Sequence, residues 1–209
     1  MTLTNDRAGP AELFGRRAGP GEALAGDAAA IAAACHAMAA RFRRGGRLFT
    51  FGNGGAATDA QHVAVEFVHP VIVGKRALPA LSLTGDVATL TGVGTSAGFA
   101  EVFAHQLRCF GGPDDIALGI TPDGRCGNVL RGLGGARSLG MLTVALAGGD
   151  GGALGRGEAV DHLVVVPSDD PRVVKEVHVT AYHLLWELVH VFLEHPDGAA
   201  PARDAQVRP

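Results

Sequence analysis

The chain has 209 residues, with 18 Lys+Arg against 21 Asp+Glu, a formal net charge of −3, and 47% hydrophobic residues. That size and apolar content suit one α/β-sized domain that builds a core without staples, and they exclude bulk disorder. The acidic balance argues against direct nucleic-acid binding, which needs clustered cations, and Cys35, Cys109 and Cys126 lack the CxxC spacing of a disulfide or cysteine-metal framework.

Residues 1–21 carry Gly9, Pro10, Gly15, Gly19 and Pro20 with little apolar periodicity, so a mobile arm is expected there. Asp6 and Arg7 interrupt the N-terminus where a leader would be apolar, and no run reaches the length of a membrane span. A cytoplasmic protein with no membrane partner is therefore expected. From Glu22 to Arg44, Leu24, Ala28, Ile31, Cys35, Met38 and Phe42 fall at steps of three and four. That spacing predicts one long amphipathic helix, with small residues that would let a subunit neighbour approach.

Arg47–Phe51 reads as an apolar strand running into Gly52, Asn53, Gly54 and Gly55, after which helical spacing resumes. Further apolar runs at 79–85, 115–124, 141–152 and 161–167 alternate with helical stretches. This pattern predicts a three-layer α/β/α sandwich around a five-stranded parallel sheet, with ligands beyond the carboxyl ends of the strands. A last helix begins after Asp169-Asp170-Pro171 and runs to about Glu194. The domain is thus expected over 22–195, with a disordered tail over 196–209.

The glycine turn between strand and helix can cradle an anion, because glycine permits left-handed backbone and backbone N–H groups face the ligand at a helix N-terminus. A plain αL turn with no ligand is the lesser alternative from the residues alone, and a dinucleotide fingerprint is incomplete, so no organic cofactor is expected. His62 and Glu66 are four apart on the following helix and share a face, as metal ligands or an acid–base pair would. On the last helix Glu176, His183 and His190 recur every seven residues on one stripe. His178 stands about 140° from His183 and is expected to pack or to meet a neighbouring chain.

The blocks GNGG with QHVAVEF, LSLTGDVATLTGVGTSAGFAEVFAHQL, DIALGITPDGRCGNVLRGLGGARSLGMLTVALAGGDGG and KEVHVTAYHLLWELVH stand in order over about 22–194. In this arrangement the chain resembles the sugar isomerase (SIS) domain of phosphoheptose isomerases, the sedoheptulose 7-phosphate isomerase family. The resemblance implies a flavodoxin-like fold, a homotetramer with sites where subunits meet, and ketose–aldose isomerisation through an enediol. It makes Glu66 the base and His183 the acid or proton shuttle, with His62 joining them as a site for Zn2+. The expected sugar-phosphate contacts are Gly52, Asn53, Gly54, Gly55, Thr95, Thr121, Asp123, Gly124, Arg125 and Lys175.

The chain departs from the family's pattern where anions bind. Ala56 stands in place of a serine, and Thr121-Pro122-Asp123-Gly124-Arg125-Cys126 in place of STSGNS, which removes hydroxyls and adds a carboxylate. Phe67-Val68-His69-Pro70 follows Glu66 where the family has an arginine, Thr95-Ser96 replaces Asn-Asp, and Lys175 replaces a glutamine. Lys175 either restores a lost positive charge, stands electrostatically at a metal position, or reaches solvent. Two functions follow as expectations: an isomerase, or a non-catalytic SIS-domain sensor or assembly partner with a degraded phosphate loop.

Overall fold

Five apolar strands, each too short to bury itself, become a core by pairing. The computed structural model describes residues 8–156 and 160–196. It contains β1 (Leu48–Gly52), β2 (Ala80–Ser82), β3 (Ile116–Ile120), β4 (Leu142–Gly148) and β5 (His162–Val166), all parallel, in the order β2-β1-β3-β4-β5. Every residue of β1, β3 and β4 is buried, as a sheet covered on both faces requires. The edge strands β2 and β5 are only partly buried.

Alternation along the strands sends side chains to two cores. Ile116, Leu118 and Ile120 pack under α1 (Pro10–Gly26), α2 (Ala28–Arg43), α3 (Gly55–Val68) and α7 (Pro171–Glu194). Phe49, Phe51, Ala117 and Ala145 face α4 (Val87–Ser96), α5 (Val102–Phe110) and α6 (Gly127–Ser138). Gly119 on β3 has no room for more: a Cβ there would stand 3.0 Å from Leu133 and Val129 of α6. Burying each large aliphatic side chain contributes about 1.5–3 kcal/mol, so the layers are held by these two faces.

The N-terminal expectation needs correction. The segment expected as an arm is helical from Pro10, with proline at the first helical position, and it docks through an ion pair between Arg17 and Glu176 of α7 (Nη2–Oε1 2.8 Å). Tertiary docking overrides the glycine and proline signals there, and the domain begins before residue 22. The single helix expected over 22–44 is two, bent by 61° at Asp27, whose φ −89° and ψ 13° leave the helical range. The apolar stripe of this segment, Ile31, Cys35, Met38 and Phe42, packs within the core shared with α7. The tail beyond residue 196 and residues 1–7 lie outside the described residues. No single described helix is long and apolar enough to cross a membrane.

The strand order reverses at β1, which pairs with β2 on one side and β3 on the other. In doubly wound sheets that reversal opens a crevice beyond the strand ends. The turn after β1 and the turn after β3 both empty into it.

Candidate active site

The turn after β1 is made by glycine for a stated reason: Gly54 caps α3 at φ 55°, ψ −120°, a conformation that side chains with a Cβ avoid. Asn53 is held by a reciprocal amide pair with Asn128 of α6, donating at 2.7 Å and accepting at 2.8 Å. Asn128 is buried, so the pair satisfies both amides and fixes the turn to the opposite layer.

Two and three turns into α3, His62 and Glu66 meet His183 of α7. His62 Nε2 lies 3.2 Å from His183 Nε2 and 3.4 Å from Glu66 Oε1. All three ligand atoms lie within 4.8 Å of one another, which forms a possible metal-binding group of two imidazoles and a carboxylate. Two ring nitrogens at that distance need something positive between them, either one shared proton or one cation. The helices are clamped beside this group, because Trp186 Nε1 on α7 donates to the Glu66 carbonyl at 2.8 Å. Tyr182 forms the inner wall, with its ring 5.5 Å from that of His62 and 4.9 Å from that of His183. Burial, reinforced by Asp59 and Glu66, pushes the Tyr182 phenol up to about 12, so it stays protonated.

Lys175 does not reach for solvent. Its Nζ donates to the Gly55 carbonyl at 2.9 Å, to Asp59 Oδ1 at 2.6 Å and, more weakly, to Thr58 Oγ1 at 3.4 Å. Asp59 is buried and pairs across 116 residues of sequence. This lysine therefore fastens the first turn of α7 to the first turn of α3.

The turn after β3 is closed on itself. Thr121 Oγ1 accepts from the Gly124 N–H at 3.2 Å, and Asp123 Oδ1 accepts from the Arg125 N–H at 2.9 Å. Gly124 has φ 68°, and a Cβ there would collide with the Gly151 carbonyl at 1.9 Å. Arg125 turns to Asp150, with Nη2 3.0 Å from Oδ1, so its charge is spent beside the β4 loop. Cys126 caps α6 without a side-chain hydrogen bond. Thr95 is exposed on α4 and bonds to its own helix at the Thr91 carbonyl, 2.8 Å away.

The stripe expected on α7 does not converge. Glu176 pairs with Arg17, while His190 is buried with its ring nitrogens facing the Trp186 and Arg76 carbonyls at 2.8 and 3.0 Å. Only His183 of the three joins Glu66. Asp59, Asn128 and His178 escaped the sequence reading as site residues. A carboxylate seven residues before Glu66 on a largely apolar helix was the signal available for Asp59.

Between the glycine turn, Pro122 and the first two turns of α7 lies a cavity of about 300 Å³, lined also by Asp59, Lys175 and His178. Larger hollows elsewhere, such as one between α5 and α6, hold no comparable set of chemical groups.

A family model described as the SIS domain matches residues 21–148. A phosphoheptose isomerase from Solidesulfovibrio magneticus is 43% identical over 163 residues, 78% of each chain. Another from Aquifex aeolicus is 40% identical over 152 residues, 73% of this chain and 78% of that one. Among solved structures, a phosphoheptose isomerase from Francisella tularensis superposes with a TM-score of 0.80 at 35% identity, covering 85% of this chain and 94% of its own. One from Neisseria gonorrhoeae gives 0.78 at 28% identity, covering 86% and 95%.

Proposed function

The chain belongs to the SIS-domain family of phosphoheptose isomerases, and from that premise we propose that its α3–α7 site interconverts sedoheptulose 7-phosphate with the corresponding aldose phosphate. The observation that carries this reading is the meeting of Glu66, His62 and His183 from two helices beside the strand-order reversal.

The reaction moves one carbon-bound proton and one oxygen-bound proton. Glu66 takes the proton from C1 of the ketose, and the electron pair forms the C1–C2 double bond of an enediol. The proton returns to C2, while the C1 hydroxyl gives up its own and the former C2 carbonyl oxygen gains one. His183 carries the oxygen-bound proton between them, and His62, at hydrogen-bond distance from His183, sets which of its nitrogens holds a proton. The glycine turn at Gly52–Gly55 and the Thr121–Arg125 turn border the substrate, and Tyr182 lies against both imidazoles without itself ionising.

The donor set also fits zinc, which takes imidazole and carboxylate ligands. His62, Glu66 and His183 would hold the ion, and when bound it supplies a Lewis acid that polarises the substrate carbonyl. Lys175, standing where the family has a glutamine, adds no ligand, because its ammonium is paired with Asp59.

The active assembly is a homo-oligomer, a tetramer as in the resemblance. Val65, Val68, Val71, Ile72 and Val73 around and after the base, and Val87 and Phe99 around α4, are exposed apolar side chains that a second copy would cover. The cytoplasm is the expected compartment, in keeping with three free cysteines. NMR of sedoheptulose 7-phosphate incubated with the protein tests the reading: aldose phosphate signals should grow with wild type and fail to grow with Glu66→Gln.

A further inference from the structure

The cavity between the glycine turn after β1 and the first turns of α7 has an unusual wall. His178 is only 2% exposed, and its Nε2 has no hydrogen-bond partner among the described residues. A buried polar atom left without a partner is costly and marks a place where something else binds. Nδ1 or Nε2 can carry the proton of a neutral imidazole, and burial lowers the His178 pKa, with Lys175 adding to that and the Ala147 backbone and Asp59 opposing it.

The charges around this imidazole are already spent. Lys175 is taken up by Asp59 and Gly55, and Arg172 grips Asp170 with Nε at 2.9 Å and Nη2 at 2.7 Å. Three first-turn amides of α3 are also engaged: Ala56 N–H donates to Asn53 O at 3.0 Å, Ala57 N–H to Gly54 O at 3.0 Å, and Thr58 N–H to Gly54 O at 3.4 Å. A phosphate dianion entering here would have to break an existing ion pair to find a cation. A hydroxyl would not. It is uncharged, it both donates and accepts, and so it matches an imidazole nitrogen in either tautomer.

We propose that the cavity is a hydroxyl-reading subsite in which His178 Nε2 hydrogen-bonds the uncharged polyol chain of the sugar, away from its phosphate. The proposal rests on the isomerase reading and deepens it by saying which part of the substrate this wall recognises. His178 then sets specificity by chain length and hydroxyl position rather than by charge.

The test uses histidine labelled with 15N in the wild-type protein, with inorganic phosphate and sedoheptulose 7-phosphate added separately, and turnover recorded on the same preparation. The His178 Nε2 resonance should move with the sugar phosphate and stay still with phosphate alone. In parallel, His178→Phe should raise KM about tenfold with a smaller change in kcat, His178→Asn should recover part of that loss, and inhibition by inorganic phosphate should be equal in all three proteins. A resonance moved by phosphate alone, or phosphate inhibition lost with His178, would make the cavity an anion site and overturn the proposal. A resonance unmoved by the sugar phosphate while turnover is intact would make His178 a packing residue and overturn it, leaving the isomerase reading in place. Absent turnover with absent binding would remove both.

Discussion

His62 Nε2 and His183 Nε2 stand 3.2 Å apart although 121 residues separate them in the chain. Neither helix brings both, and the contact exists because α3 and α7 lie side by side in the layer over one face of the sheet. The proton transfer proposed for this pair requires both helices to hold their places. Substituting His183 by alanine should lower kcat by about 10²- to 10⁴-fold, the usual contribution of a positioned acid or base, with KM changed far less. Steady-state kinetics against His62→Ala would separate the two imidazoles, since His62 acts through His183 and its loss should cost less.

The proposed zinc site rests on the same three side chains. Calorimetric titration should show one ion per chain, lost in His62→Ala and in His183→Ala, while Lys175→Gln should strengthen it by giving back a neutral donor where an ammonium stood. Unchanged zinc binding in both histidine variants would place the ion elsewhere.

The Asp59–Lys175 pair is an anchor whose two ends differ in exposure, 7% for the aspartate side chain and 45% for the lysine. Lys175→Met strands a buried carboxylate and should cost roughly 1–2 kcal/mol, less than the ~3–5 of a fully buried pair because water screens the lysine end. Adding Asp59→Asn should return part of that loss, and a double-mutant cycle by urea unfolding measures the coupling.

Acid should weaken the fold in two stages. His178 is held below the usual histidine pKa chiefly by burial, so its stability contribution is present above the unfolded value near 6.5 and fades as pH falls through the lower folded value. Asp170, which caps α7 and is brought to about 2 mainly by its hydrogen bonds with Arg172, contributes above the unfolded value near 4 and loses that contribution as pH falls toward about 2. Thermal melting from pH 7 to 3 should show both declines, with His178→Phe flattening the first and Asp170→Ala, at a cost of about 1 kcal/mol at neutral pH, flattening the second.

Gly124→Ala is expected to be more damaging than any other change in the turn after β3. It forces a Cβ into the Gly151 carbonyl at 1.9 Å and asks alanine to hold φ 68°. A loss of roughly 2–4 kcal/mol should appear in the unfolding midpoint.

The sheet and the last helix were legible in the sequence because their signals are local: Ile116–Ile120 and Leu142–Gly148 are continuous apolar runs, and Asp170-Pro171 marks a helix start. The family's blocks single out Glu66 and His183, and the structure brings the two side chains together. What escaped was long-range. Arg17 on Glu176 turns a stretch rich in glycine and proline into a docked helix, and no local pattern announces a partner so far along the chain. Lys175 read as a restored charge, an occupant of a metal position or a solvent-facing lysine, and the packing of α7 against α3 places Asp59 beside it. Arg125 is among the expected sugar-phosphate contacts, but its charge goes to Asp150, a residue that the neighbouring β4 loop delivers.

The central claim is that Glu66 and His183 move protons on a bound ketose phosphate. Solvent-deuterium incorporation into sedoheptulose 7-phosphate, followed by NMR, tests it most directly. The account predicts exchange at the carbon beside the carbonyl with the wild-type chain, abolished in Glu66→Gln and strongly slowed in His183→Ala. Substrate that binds the wild-type chain without taking up deuterium, or exchange that survives Glu66→Gln, would contradict it.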